Sequence, residues 1–284
     1  MSVIIPCRNS ADVLPCQLRA LSSQEWDGSW EIVVVDDGST DGSADVARRI
    51  GAQLPVPCRT VQTRGAGGSA SIARNTGVEA ARGQRLAFVD ADDEVASGWL
   101  AAIADALECH GLVAGSLEWD RLNPRQMRST QYGGPEAIDV GEDHPVRPWG
   151  ASANMGVRRE VFARVGGFDP ALPTLEDVDY FWRAQEAGEP LWRAQNAVVH
   201  KRLRPTLRGE CRKAWREAHG ESLLYRRHQV PIPASFSVAR SLTWLATGWL
   251  RPLAGEPWRR VMCKYCWVAG RLAGCFRHHY VRWI

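Results

Sequence analysis

Glu31-Ile32-Val33-Val34-Val35-Asp36-Asp37-Gly38-Ser39-Thr40-Asp41-Gly42-Ser43 is the stretch whose reading decides the fold. Its first half is apolar at consecutive positions and β-branched, as in a strand buried on both faces of a parallel sheet. Its second half is made of turn residues, and its end is suited to cap a helix over residues 44–50. The same alternation extends to both sides. Upstream, Val3-Ile4-Ile5-Pro6 reads as a strand ending at the proline, and Val13, Leu14, Leu18 and Leu21 have helical spacing over 12–24. Downstream come a weaker apolar stretch over 56–61, a flexible loop from Gly65 to Gly68, a helix over 69–81, the strand Arg85-Leu86-Ala87-Phe88-Val89 and a helix over 98–110. Strand and helix alternate, which predicts an α/β fold with a mostly parallel sheet.

Residues 120–150 read as irregular and polar, with Pro124, Pro135, Pro145 and Pro148. Beyond them, helices are expected over 158–165 and 176–188, separated by the break Gly166-Gly167, and a short strand over 196–200. No internal repeat is visible.

The 284 residues suffice for one sizeable catalytic domain with an appendage, and 45% hydrophobic residues is ordinary for a packed globular protein. The formal net charge of +3 hides an asymmetry. Residues 1–200 carry 18 Lys+Arg against 28 Asp+Glu, whereas 201–284 carry 17 against 4. A basic part of this kind is expected to meet something anionic: a membrane surface, nucleic acid, or the acidic body of the same protein. The eight cysteines form no small-domain framework and no signal peptide opens the chain, so free thiols in a reducing cytoplasm are expected. The longest apolar run, 238–250, is too short to span a bilayer and contains Arg240.

Two acidic clusters follow strands: Asp36-Asp37, and Asp90-Ala91-Asp92-Asp93. Ligands of open α/β sheets bind outside the carboxyl ends of the strands, so both clusters belong to one edge of the sheet. Asp and Gly also favour turns, which would explain one such loop without a ligand. Two at strand ends fit a hard divalent cation, Mg²⁺ or Mn²⁺, held by few carboxylates and by substrate phosphates.

Several motifs carry a resemblance by their order and spacing over residues 2–205: Val3-Ile4-Ile5-Pro6-Cys7-Arg8-Asn9, Val33-Val34-Val35-Asp36-Asp37-Gly38-Ser39-Thr40-Asp41, Ala73-Arg74-Asn75-Thr76-Gly77, Phe88-Val89-Asp90-Ala91-Asp92-Asp93, Gly166-Gly167-Phe168-Asp169 and Glu176-Asp177-Val178-Asp179. Together they resemble the family 2 inverting glycosyltransferases. The resemblance implies a GT-A fold over 1–205, with a donor half near 1–115 and an acceptor half near 116–205, followed by a helical extension over 206–284. It implies transfer of a sugar from a nucleotide-diphosphate donor to an acceptor hydroxyl.

The resemblance also assigns roles. Pro6 and Arg8 belong to the donor-binding first loop. Many family members have an aromatic residue where this chain has Cys7-Arg8, so Arg8 is expected to stack on the base or pair with a phosphate. Asp37 accepts from the imide N–H of a uracil or thymine base, which favours a UDP- or dTDP-sugar. Asp90 lies near the ribose and phosphates, Arg74 and Asn75 orient the donor, and Asp92 binds Mn²⁺ or Mg²⁺. His200 completes the metal site, although a histidine there also suits an ordinary surface role. Asp177 is the catalytic base. Glu176, Trp149, Asn154 and Trp182 line the acceptor side, where aromatic faces suit sugar rings, although tryptophan is also core material. Glu176-Asp177 also reads as a pair of acids at a helix N-terminus, which is compatible with that task.

On a helical wheel, Trp258, Val261, Met262, Tyr265, Val268, Ala269, Leu272, Phe276, Tyr280 and Trp283 share one side of the tail; Arg259, Arg260, Lys264, Arg271, Arg277, His278 and Arg282 share the other. Such a basic amphipathic helix over 258–283 suits peripheral contact with an anionic membrane, docking on its own domain, or a homodimer contact. Gly270 and Gly274 fall on the polar side as a mild cost to the helix. Cys263-Lys264-Tyr265-Cys266 has CxxC spacing, but Cys266 lies opposite Cys275 on the wheel, so no zinc site is expected. No nucleic-acid motif accompanies the charge.

Two other readings compete. A sugar-phosphate nucleotidyltransferase would need a glycine-rich first loop, and residues 6–14 contain no glycine. A non-catalytic nucleotide-sugar-binding protein would have no need of Asp177. A saccharide or lipid-linked acceptor, in cell-surface polysaccharide or glycolipid synthesis, fits the enzyme reading.

Overall fold

The consecutive apolar run around Val33 becomes a strand with no exposed residue, flanked on both sides by parallel neighbours. The structure is a computed structural model that describes residues 1–65, 67–124, 147–204, 206–230 and 237–280. The described residues fall into two compact units, one made of those within 1–122, 147–171 and 176–202, the other of those within 123–124, 172–175 and 203–280.

The first unit is built on one sheet of eight strands: β1 Ser2–Cys7, β2 Glu31–Asp36, β3 Cys58–Gln62, β4 Arg85–Val89, β5 Glu94–Val95, β6 Leu112–Glu118, β7 Asn154–Arg158 and β8 Leu191–His200, in the order β3-β2-β1-β4-β7-β6-β8-β5. The pairs among β3, β2, β1 and β4 are parallel. β7 then runs antiparallel to both neighbours. The sheet is therefore mixed, parallel only in its first four strands and in the β6–β8 pair.

Helices α1 Leu14–Ser22, α2 Ser43–Gly51, α3 Ala70–Ala80, α4 Trp99–Cys109, α5 Arg159–Val165 and α6 Glu176–Glu186 accompany the sheet. Two apolar clusters form the core. One joins α1 and α4 to Val3, Ile5, Val34 and Val89, and the other joins Ile4, Val33, Val35 and Phe88 to Phe162, Phe168 and Tyr180. Odd and even residues of β1 thus serve opposite layers, as a strand's alternation requires.

The structure departs from the sequence reading at definite places. β1 continues through Pro6 to Cys7, because proline at a strand's end costs little in ladder bonds. β6 and β7 were not expected. Both contain glycine, and both glycines have packing reasons: a Cβ on Gly115 would lie 2.4 Å from the Ala197 carbonyl, and one on Gly156 would press on Ile103 and Leu107. β8 begins five residues earlier than its apolar end suggested, with a register shift between Gly115 and Ser116. Most of the irregular stretch expected over 120–150 lies outside the described residues.

The second unit contains α7 Leu207–Arg227, α8 Val238–Thr247, a 3₁₀ turn Gly248–Ala254, and α9 Trp258–Arg277. Arg259 bonds Glu210, Arg271 bonds Glu221, and Arg226 bonds the His278 carbonyl, so α7 and α9 run parallel. They meet at glycines. A Cβ on Gly270 would lie 2.3 Å from the Trp215 carbonyl oxygen, and one on Gly274 would lie 2.4 Å from that of His219. This corrects the wheel. Gly270, Gly274 and Arg271, placed by sequence on the solvent side, are buried against α7. Arg271 bonds Glu221 at 3.0 Å and lies over the Trp267 ring, 3.4 Å from its centroid. Trp258 and Phe276, assigned to the apolar side, are exposed. All eight cysteines are free thiols. No described helix is long and apolar enough to cross a membrane.

Candidate functional site

The parallel strands β1, β2, β3 and β4 deliver their following loops to one edge, and those loops are laced together. Asn9 adopts a positive φ of 50°, its amide donates to Ser39 Oγ at 3.0 Å, and its side-chain oxygen accepts from the Thr40 amide at 2.9 Å. Asp41 accepts from the amides of Ala11 and Ser43. Asp37, buried, accepts from Thr63 Oγ1 at 2.9 Å through one oxygen and from the Gly68 and Ser69 amides through the other. Gly67 has φ 71°, and a Cβ there would meet the Asp37 carbonyl oxygen at 2.3 Å, so only glycine lets the loop come so close. Arg8 is exposed, and its guanidinium lies against Gly68.

The acidic loop after β4 is ordered by two cations from distant parts of the chain. Arg74 on α3 donates to Asp90 Oδ1 at 2.9 Å and to Glu176 at 2.8 Å. Lys201, just beyond β8, lies 2.8 Å from Asp90 Oδ2 and 2.6 Å from Asp93 Oδ2. The Arg202 amide donates to the other oxygen of Asp93 at 3.0 Å. The result is a ladder of alternating charge: Asp93, Lys201, Asp90, Arg74, Glu176. Burial works against the charge on Asp90, but Lys201 and Arg74 hold its carboxyl well below the usual range. Burial raises Asp93, with Asp90 and Asp92 adding to it and Lys201 opposing. Burial, then the charge of Asp177, raises Glu176. Asp92 alone of the loop's carboxylates is exposed.

Helix α6 starts at the acid pair. Leu175 just before it takes φ 60°, a conformation an L-residue holds only where surroundings enforce it. Asp177 accepts from the Ser152 amide at 3.2 Å through Oδ2 and from the Val178 amide through Oδ1. Behind this, Asn75 forms a reciprocal pair with the Phe168 backbone, donating to its carbonyl at 2.7 Å and accepting from its amide at 3.0 Å. Phe168 is buried beneath Arg74, whose guanidinium carbon is 5.6 Å from the ring centroid.

The residues assigned from sequence therefore divide. Asp37, Arg8, Pro6, Asp90 and Asp92 share the carboxyl edge of the sheet, and Arg74 ties that edge to Glu176, next to Asp177. Asn75 is spent on the Phe168 backbone rather than aimed at an open cleft. Asn154 is buried in β7; it accepts from Trp99 Nε1 at 2.8 Å and donates to the carbonyls of Ser116 and Ala197, so its amide serves the core. Trp182 is fully buried, with its indole N–H on the Arg147 carbonyl, and Trp149 packs against the second core cluster. Asn154 and Trp182 thus complete the core and have no face left for a sugar, whereas Trp149 is half-buried. His200 Nδ1 lies 2.6 Å from Glu118 Oε2, and His200 is not part of the carboxylate group that Asp90, Asp92 and Asp93 form. Lys201, Thr63 and Ser152 were not foreseen. Lys201 could have been suspected, since a lysine directly after an apolar strand can close on an acidic loop.

Eight strands in this order, acidic loops at the carboxyl edge and a second acid pair at a helix start define a GT-A glycosyltransferase. The profile of glycosyl transferase family 2 matches residues 2–166, and the chain belongs to that family. The glycosyltransferase AglE of Haloferax volcanii is 30% identical over 254 residues, covering 88% of this chain and 81% of that protein. Among solved structures, the mannosyltransferase PcManGT from Pyrobaculum calidifontis, in complex with GDP-Man and Mn²⁺, has the same fold at a TM-score of 0.70 and 20% identity, covering 98% of this chain and 86% of that one. TarS 1–349 of S. aureus, in complex with UDP-GlcNAc, aligns at a TM-score of 0.57 and 17% identity, covering 98% and 91%.

Proposed function

We propose that this glycosyltransferase moves a hexose from a nucleotide-diphosphate sugar to an acceptor hydroxyl with inversion, using Asp177 as the base. The observation that carries this reading is the two-handed grip of Arg74, which holds Asp90 at 2.9 Å and Glu176 at 2.8 Å and so fixes the acid pair relative to the donor-side loop. Asp177 takes the proton from the acceptor hydroxyl as that oxygen attacks the anomeric carbon. The bond from that carbon to the diphosphate oxygen breaks, and the nucleoside diphosphate leaves on the opposite face. Ser152 orients the Asp177 carboxylate, since its amide and hydroxyl both point at Oδ2.

The donor set of the acidic loop fits a divalent cation: Asp90, Asp92 and Asp93 each offer an oxygen, all within 4.8 Å of one another. These are hard oxygen ligands, suited to Mg²⁺ or Mn²⁺. Asp92 would be the principal holder, because Asp90 and Asp93 already serve Lys201. Such an ion supplies charge neutralisation to a diphosphate leaving group. Asp37 and Arg8 are assigned to the base and phosphates. The acceptor is a saccharide or lipid-linked hydroxyl, and eight free thiols suit a reducing, cytoplasmic setting.

Titration calorimetry with UDP-, dTDP- and GDP-sugars, with and without Mn²⁺, tests the donor. Asp177→Asn should keep donor binding and lose about 10²–10⁴-fold in turnover. Unchanged turnover in that variant would remove Asp177 from the mechanism, and no nucleotide sugar bound under any condition would remove the donor assignment.

A further inference from the structure

Helix α8 and the 3₁₀ turn that continues it are apolar on both sides. The inner side uses Val238, Ser241 and Gly248, all buried, and Trp244, which meets Tyr265 of α9 at 4.9 Å between ring centroids. At helical spacing the opposite side presents Leu242, Ala246, Trp249, Leu250 and Leu253, with Trp258 following at the start of α9. The four leucine and tryptophan side chains from Leu242 to Leu253, and Trp258, are 43% to 81% exposed. Soluble surfaces scatter single apolar residues, but a run on one helix side marks an interaction surface.

We propose that this face, residues 242–258, lies in the headgroup boundary of an anionic lipid bilayer. Two observations select a lipid surface. First, its polar side-chain groups are satisfied within the segment: Thr243 Oγ1 donates to the Ala239 carbonyl, Thr247 Oγ1 to the Thr243 carbonyl, and Trp249 Nε1 to the Ala246 carbonyl, at 2.8–2.9 Å, and Arg251 donates to Glu256 at 2.6 Å. A face with its donors already used needs no polar partner and enters an apolar phase without leaving a donor unpaired. Second, the charge is complementary. Residues 222–255 contain no Asp or Glu, the one acid of the face, Glu256, is paired with Arg251 at 2.6 Å, and the exposed Arg240 and Arg260 flank the apolar run. Leucine and tryptophan on one side with arginines at the margin is the composition of a helix that lies in the interface plane. The surface differs from the 258–283 helix expected from sequence, because α9 spends its inner side on α7.

Flotation of the full chain with phosphatidylcholine vesicles and with vesicles containing phosphatidylglycerol tests the proposal. Wild type should float with the anionic vesicles, less so at high salt. Leu242→Glu/Leu253→Glu should lower that partition at least about tenfold. Circular dichroism and the melting temperature should stay unchanged, and Leu253→Ser alone serves if the double variant fails to fold. Wild type that stays at the bottom of the gradient, or variants that float equally, would overturn it. So would a concentration-dependent dimer in sedimentation velocity that the double variant abolishes, since the face would then belong to a second copy of the chain.

Discussion

The Lys201 ammonium sits 2.6 Å from the Asp93 carboxylate, and this pair sets which acids of the loop after β4 remain open. Asp93 has no solvent exposure of its side chain, and Lys201 has little. Removing one partner leaves an uncompensated buried charge. Lys201→Met should cost about 3 kcal/mol in urea unfolding, and Lys201→Met/Asp93→Asn should recover a large part of it. A single variant within 0.5 kcal/mol of wild type (about the scatter of surface substitutions) would count against the pair as a structural element.

Arg74 binds Asp90 through one terminal nitrogen and Glu176 through the other. A lysine carries the charge but lacks the fork. Arg74→Lys should therefore lower kcat/KM about 10²-fold through misplacement of the acid pair. Steady-state kinetics with saturating donor checks it, and unchanged kinetics would show that charge alone suffices.

Asn75 was expected to orient the donor, yet both ends of its amide are held by the Phe168 backbone. Asn75→Ala should cost about 2 kcal/mol of stability from two lost hydrogen bonds, one unsatisfied peptide group at each end. The dissociation constant of the nucleotide sugar should stay close to wild type. A large loss of donor affinity with stability intact would restore the sequence-based role.

The legible and illegible parts of this chain differ in a physical way. β2 and β4 were plain because a strand buried on both faces needs an unbroken apolar run, and the acidic loops after them stand out by composition. β6 and β7 were not, because Gly115 and Gly156 dilute the apolar signal for the sake of tight packing. The role proposed for Asp177 comes from motif order alone. Lys201 stands directly after an apolar strand, a local hint that it could close on an acidic loop, but which loop was hidden because its partners lie 108 and 111 residues earlier. Asn154 and Trp182 failed as acceptor residues because polarity and ring size alone do not tell a core position from a cleft.

Burial pushes Glu221 up to about 7, with Arg271 opposing. Between its ordinary value of 4.5 and about 7 the folded state holds a proton that the unfolded state has released. The stability this contributes is full below 4.5 and is lost as pH rises through about 7. The melting temperature of wild type relative to Glu221→Gln should therefore fall from pH 5 to pH 8. A difference that is flat or rises over that window would refute the assignment.

Gly274 faces the His219 backbone at a distance that excludes a Cβ. Gly274→Val should destabilise the chain by about 1–3 kcal/mol through overpacking, despite valine's helix-interior position being occupied by glycine at a propensity cost. Chemical denaturation decides between the two effects, since a gain in stability would mean the helices simply move apart.

The parallel course of α7 and α9 has a topological consequence. Neighbouring helices that run the same way cannot be joined by a short turn, so 30 residues, 228–257, must bridge them. Their pairing is a non-local event whose loop-closure entropy is met before any helix–helix contact forms. A chain that stops before Trp258 leaves the inner stripe of α7, including Ser222 and Glu221, without its match. The last helix therefore behaves as a keystone, and shortening the tail for crystallisation or expression should be made beyond Tyr280 rather than within the bridge.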